Sequence, residues 1–228
     1  MTGMDQMLNR KYRVLTGNYG SGKTEIALNM AVRQAARFQT TMVDLDIVNP
    51  YFRSGEKAGE LREKGIQVLM PTFALTTVDI PALPAEIQSV FETDADSVIF
   101  DVGGDDTGAA ALGRYYPSFM KQRDNTLVLL VVNCMRPLTQ NKDDILELAG
   151  RIQARGRLAL DGLINNTNLG DQTQPEMVLE GESVLLACAD ELDIPVMTSG
   201  TRNVLEKCAL HTAPLYIERY MKPEWMEA

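Results

Sequence analysis

One histidine and three cysteines are all that this chain holds of the residues that build most metal centres and acid–base triads. A lone His211 excludes multi-histidine metal sites and histidine-based triads by counting. Cys134, Cys188 and Cys208 are widely spaced and form no Cys-x-x-Cys, so neither a disulfide framework nor a zinc site is expected, and a reducing cytoplasm is the natural setting. Long apolar runs are missing too. The longest, Leu127 to Val132, is far too short to cross a bilayer, and Met1–Arg10 has no apolar centre of signal-peptide type. Positive charge is scarce: 22 lysines and arginines face 31 acids, a net charge of −9. That field repels phosphate and disfavours nonspecific binding to DNA or an anionic membrane. These absences predict a soluble, cytoplasmic protein with no strong nucleic-acid signal and no membrane segment.

What remains is ordinary for a globular chain, 45% apolar and 23% charged over 228 residues. Strand-like segments read at Tyr12–Thr16, Thr40–Leu45, Ile66–Met70, Ser97–Phe100, Thr126–Val132 and Leu160–Ile164, with Ile194–Met197 as the last. Helical segments alternate with them: one running to about Phe38, a polar one near Ser54–Lys64 stopped by Gly65, then Ala85–Thr93, Ala109–Lys121 interrupted by Pro117, Lys142–Ala154, Glu176–Leu192 and Thr201–Cys208. Tyr216–Met226 reads as a packed terminal helix. Pro71–Pro84 is the longest irregular stretch. The alternation predicts an α/β fold, a doubly wound, mostly parallel sheet flanked by helices in three layers. Residues 11–228 would form a single nucleotide-binding domain behind a flexible tail of residues 1–10. Ligands of such sheets sit at the carboxyl ends of the strands.

The first such end carries Gly17, Asn18, Tyr19, Gly20, Ser21, Gly22, Lys23 and Thr24, the pattern of a phosphate-binding loop. Its glycines let backbone N–H groups press against phosphate oxygens. Lys23 would reach the β- and γ-phosphates, and the Thr24 hydroxyl would ligate Mg²⁺. The strand-like Tyr12–Leu15 before the loop and the helix-like Glu25–Val32 after it place phosphate at the positive end of a helix.

Hydrolysis also needs carboxylates to manage metal and water. Asp101 follows an apolar strand and opens Asp101-Val102-Gly103-Gly104, so it would hold the metal's hydration shell while the Gly104 N–H meets the γ-phosphate. Asp44 and Asp46 close another strand. Asp46, lying further out toward the ligand, is the candidate for orienting the attacking water and for joining Thr24 and Asp101 around the metal. Asn141-Lys142-Asp143-Asp144 spells a guanine-reading pattern but stands too far from its strand and more naturally starts a helix. Better placed for reading a base are Asn165 and Asn166, which offer both donor and acceptor, with Ser199 packing over the ring. Guanine recognition through Asn168 and Asp171 is the alternative.

Gly17–Thr24, Val43–Ile47 and Ile99–Gly104 together resemble the MinD/ParA/CobQ-CobB-type branch, the SIMIBI class, of P-loop NTPases. The resemblance covers the first half well and the second half only in its strand–helix rhythm. It implies an Mg·ATPase, with Lys23 as the loop lysine, Asp46 as the switch I aspartate, Asp101 as the Walker B aspartate and a strand-end asparagine reading adenine. It also implies an ATP-dependent homodimer, but the signature lysine that reaches across such dimers is replaced by Asn18. Arg53, Arg114 and Arg136 are the arginines that could stand in for it, each a surface arginine by default.

The function expected is Mg·ATP binding and hydrolysis driving a switch for a protein partner, in which the Asp46–Arg53 and Gly103–Gly108 segments order and release. A small-molecule phosphotransferase or ligase of the dethiobiotin-synthetase-like branch, with Pro71–Pro84 as a substrate wall, and a non-hydrolysing nucleotide sensor are the alternatives.

Overall fold

Strands that are apolar on both sides need a sheet covered on both faces. The computed structural model, which describes residues 8–46, 58–70, 85–104 and 106–221, has that architecture. Its strands are β1 (Tyr12–Thr16), β2 (Thr40–Leu45), β3 (Ile66–Leu69), β4 (Ser97–Val102), β5 (Thr126–Val132), β6 (Gly162–Asn165), β7 (Val196–Gly200) and β8 (Ala213–Tyr216). They form an eight-stranded sheet in the order β3-β2-β4-β1-β5-β6-β7-β8, with every pairing parallel. Parallel neighbours demand crossovers. The helices are α1 (Lys23–Ala35), α2 (Ala58–Glu63), α3 (Ala85–Ser89), α4 (Asp106–Arg114), α5 (Tyr116–Lys121), α6 (Lys142–Gly156), α7 (Pro175–Leu192) and α8 (Arg202–Leu205).

Successive strand residues point to opposite faces, so adjacent positions feed separate cores. Val14, Phe100 and Val128 join Leu148 and Leu185 of α6 and α7 on one face. Leu15, Ile99 and Leu129 join Ile26 and Leu28 of α1 on the other. Phe119 of α5 meets Phe100 edge-on at 5.1 Å. Truncating a fully buried ring such as Phe100 to alanine costs about 3–5 kcal/mol.

The central register sets the site. Leu15 lies beside Asp101, and Asp44 pairs with Asp101 on the opposite flank. The chain leaves β1 toward β2 on one side and leaves its neighbour β4 toward β5 on the other, so the crevice at the carboxyl ends of β1 and β4 is the topological switch point.

Several boundaries differ from the sequence expectation. β7 extends through Ser199 to Gly200 and is not the last strand. β8 follows it, pairing Thr198 with Pro214. A four-residue segment containing proline gives almost no strand signal, and it survives here because β8 is an edge strand, where a missing N–H is tolerated. Tyr216 therefore ends a strand instead of starting a helix, and residues 217–221 continue without helical structure. The remainder of the Tyr216–Met226 segment lies outside the described residues. So do residues 1–7 of the expected tail, Ser54–Lys57 of the polar helix, Arg53 and the Pro71–Pro84 stretch. Pro117 stands in the first turn of α5, where its lost N–H costs nothing, so Ala109–Lys121 is two helices.

Candidate functional site

The turn from β1 into α1 wraps around its own lysine. Gly20 and Gly22 have φ of +73° and +87°. A Cβ on Gly22 would stand 2.2 Å from Asn166 Nδ2, so only glycine fits there. The Lys23 ammonium, nearly buried, donates to the Asn18 carbonyl at 2.9 Å across the loop. The Asn18 side chain turns back on the loop, its Oδ1 accepting from Tyr19 N at 2.9 Å.

Asp101 closes the floor. The Thr24 hydroxyl donates to Asp101 Oδ2 at 2.6 Å. Asp101 Oδ1 and Ser21 Oγ are buried with no hydrogen-bond partner among the described residues. Burial first, then the charge of Asp44, with a smaller push from Asp46, raises the Asp101 carboxyl to about 7, against the opposing pull of Lys23 and Thr24. Asp44 Oδ1 accepts from Asp46 N at 2.9 Å, which turns the chain so that Asp46 lines the cavity. Gly104 leans on the loop, where a Cβ would come within 2.6 Å of Tyr19 N.

Hard oxygen donors, an unsatisfied buried carboxylate oxygen and crowded negative charge suit Mg²⁺. No cluster of three or more acidic, cysteine or histidine side chains among the described residues could hold a metal ion. A magnesium at Thr24 and Asp101 would therefore complete its shell with phosphate oxygens and water.

No protein-family model matches the chain, and no curated protein matches it in sequence. Solved structures do match in fold. FtsY from Mycoplasma mycoides superposes with a TM-score of 0.52 at 20% identity, over 82% of this chain and 59% of that one. The cell division protein FtsY from Thermotoga maritima gives 0.51 at 19%, over 84% and 66%. The signal recognition particle receptor FtsY from Elizabethkingia anophelis gives 0.51 at 18%, over 85% and 61%. The chain thus spans less than two thirds of the length of each of these three structures. The chain shares the fold of these structures, a parallel sheet between two layers of helices.

In this fold the crevice is a cavity of about 740 Å³. Asn18, Tyr19, Gly20, Gly22, Lys23, Thr24, Asp46, Asn166 and Ser199 line it, whereas Gly17, Ser21, Asp101, Gly104 and Asn165 stand behind that wall. The two asparagines part ways. Asn165 is fully buried, its Nδ2 donating to the Val178 carbonyl at 3.0 Å and its Oδ1 accepting from Thr167 N at 3.2 Å. It faces α7 and not the cavity. Asn166 donates to the Ser21 carbonyl at 2.7 Å and accepts from Ser199 Oγ at 2.9 Å, so it ties the end of β7 to the phosphate loop. Asn141 caps α6, accepting from Asp144 N, as its helix-start reading anticipates. Arg114 ends α4, exposed and off the cavity wall.

Sequence reasoning missed the C-terminal wall. Ile217, Arg219 and Met221 line the cavity from one side of an extended strap. The Glu25 carboxylate of α1 accepts from Tyr220 N and from Met221 N, the latter at 3.0 Å. Asn29 Oδ1 accepts from Glu218 N at 2.7 Å and its Nδ2 donates to the Glu218 carbonyl at 2.7 Å. Arg219 pairs with Asp171. The alternation of Ile217, Arg219 and Met221 was the available signal, hidden because the segment also reads as helix. The thiols stand apart from this chemistry. Burial raises all three, Cys188 to about 11, which keeps them protonated and poorly nucleophilic at neutral pH.

Proposed function

We propose that this chain binds Mg·ATP in preference to Mg·GTP, hydrolyses it, and uses the cycle as a switch for a protein partner. The observation that carries the reading is the Thr24–Asp101 contact at 2.6 Å beneath a positive-φ glycine loop that already cradles an ammonium group. Lys23 exchanges the Asn18 carbonyl for phosphate oxygens. Thr24 and Asp101 hold the metal, and Asp46, on the cavity wall, orients the attacking water. Magnesium, when bound, supplies charge neutralisation on the β- and γ-phosphates.

Adenine is favoured by what the other end of the cavity offers. Guanine presents an N–H and an amino group that a carboxylate reads best, and among the described residues the acids on this wall are Glu25, bound to the strap backbone, and Asp46, beside the loop. Asp171 is engaged by Arg219. A switch fits the packing of Gly104 on the loop backbone and of Gly108 on Gly103, where a Cβ would come within 2.3 Å of the Gly103 carbonyl oxygen. Movement at the γ-phosphate position would then pass directly to the start of α4. Tyr19 and Leu138, 59% and 68% exposed at the cavity rim, offer apolar surface to a partner or a second copy.

The test is light scattering of the Asp46→Ala protein with Mg·ATP, Mg·GTP or Mg·ADP, with the bound nucleotide quantified in each peak. ATP retained over GTP, with a change of assembly in ATP alone, is the expected outcome. Preferential retention of GTP would overturn the adenine assignment. A monomer in every state would favour the small-molecule transferase or sensor over a dimerising switch.

A further inference from the structure

A second cation reaches the phosphate loop from outside it. The turn after β5 is built stiffly. Asn133 Oδ1 accepts from Met135 N at 2.9 Å and from Asn168 N at 3.2 Å, and its Nδ2 donates to the Asn168 carbonyl at 3.0 Å. The Thr139 hydroxyl donates to the Asn133 carbonyl at 2.9 Å, and Leu138, at φ +67°, closes the turn in the left-handed region. From this frame Arg136 extends over the loop, where its Nε donates to the Gly20 carbonyl at 3.3 Å.

That partner is unusual for an arginine here. Acids outnumber bases 31 to 22, yet among the described residues no carboxylate pairs with Arg136. The other cations on the cavity wall among the described residues are accounted for: Lys23 belongs to the loop and Arg219 is held by Asp171. A guanidinium has five N–H donors in a planar fork, and the long, exposed bond to Gly20 uses one of them. Exchanging it for a phosphate oxygen replaces a weak neutral acceptor with a charge-assisted one.

We propose that Arg136 is a phosphate-contacting residue of this same site, supplied in cis by the turn after β5. The proposal rests on reading the cavity as a nucleotide site. In the nucleotide-free chain the Gly20 carbonyl parks the side chain. With nucleotide bound, the guanidinium moves onto the polyphosphate, adding positive charge beside Lys23.

Calorimetric titration of the full chain with Mg·ATP and Mg·ADP, over a range of salt concentrations, tests this alongside steady-state phosphate release. Arg136→Ala is expected to weaken Mg·ATP binding about ten- to a hundredfold and to flatten its salt dependence. Arg136→Lys should recover part of the affinity, and the nucleotide-free melting temperature should be unchanged because the side chain is exposed. A larger loss for ATP than for ADP assigns the contact to the γ-phosphate, and equal losses assign it further in. If Arg136→Ala binds and turns over ATP within twofold of the parent while Lys23→Ala fails to bind, Arg136 is a surface arginine and the nucleotide reading stands. If the parent binds no nucleotide, or Lys23→Ala binds as the parent does, the nucleotide reading itself falls and the assignment of Arg136 falls with it.

Discussion

The two ends of the cavity are built in opposite ways. At the phosphate end one continuous loop, Gly17–Thr24, supplies the backbone, the ammonium and the hydroxyl, and one neighbouring strand adds Asp101. At the far end Asn168 to Gly170, Gly200 to Thr201 and the 217–221 strap each contribute a wall, and none of these segments is adjacent to another in sequence. Backbone groups and a point charge can recognise phosphate from within one turn, because phosphate is small, symmetric and charged. A base is flat, large and marked by a few donors and acceptors, so its walls must come from several directions. The first end can be disabled by one residue, whereas the second should respond in small steps.

Lys23→Ala is the largest expected break. Mg·ATP affinity should fall about a hundredfold or more, measured by calorimetry, while the fold persists by circular dichroism. Asp101→Asn comes next and separates stability from catalysis. Phosphate release should fall about a hundredfold or more, because the metal loses an anionic ligand or its support. The nucleotide-free protein should melt higher, since a buried charge beside Asp44 is removed. The pH dependence has a definite sign. With its folded pKa raised to about 7, the Asp101 carboxyl contributes stability below the ordinary carboxylate range, and that contribution is lost as pH rises toward and through 7. Melting curves of the apo protein across that window should show the decline, and Asp101→Asn should flatten it.

Asn166→Ala tests the joint between the two ends. It takes the Asn166 donor from the Ser21 carbonyl in a buried place and leaves Ser199 Oγ only the Asn165 carbonyl, so denaturant unfolding should lose about 1–3 kcal/mol. ATP and ADP affinities should drop together, because the loop itself loosens. Asn29→Ala is the smallest break. It releases the strap at Glu218 without touching the phosphate loop. The ratio of ATP to GTP affinity should move toward unity by about threefold to tenfold in competition binding. A strap irrelevant to the base would leave that ratio unchanged.

Much of this was legible in the linear chain. The loop, the acids at strand ends and the strand–helix alternation are local patterns, and the structure puts Lys23, Thr24 and Asp101 within one cluster. β8 was not legible, because Ala213–Tyr216 is short, holds a proline, and gains its place only by pairing with Gly200 and its neighbours. The strap was hidden for a related reason: it is held by Glu25 and Asn29, nearly two hundred residues earlier. The asparagines show a further limit. Asn165 and Asn166 are identical in composition and adjacent, yet strand alternation sends one side chain to α7 and the other to the loop.

By itself the sequence determined a glycine turn of phosphate-loop pattern between a strand and a helix, since that geometry depends on glycine, lysine and threonine at fixed spacing. It determined a two-faced parallel sheet as well, because β-strands apolar on both sides can be buried in no simpler way. Only the tertiary structure decided which asparagine reaches the loop, where Arg136 is aimed, and that the C-terminal strap walls the cavity. Those choices are made by contacts between distant segments, whose partners leave no local periodicity to read.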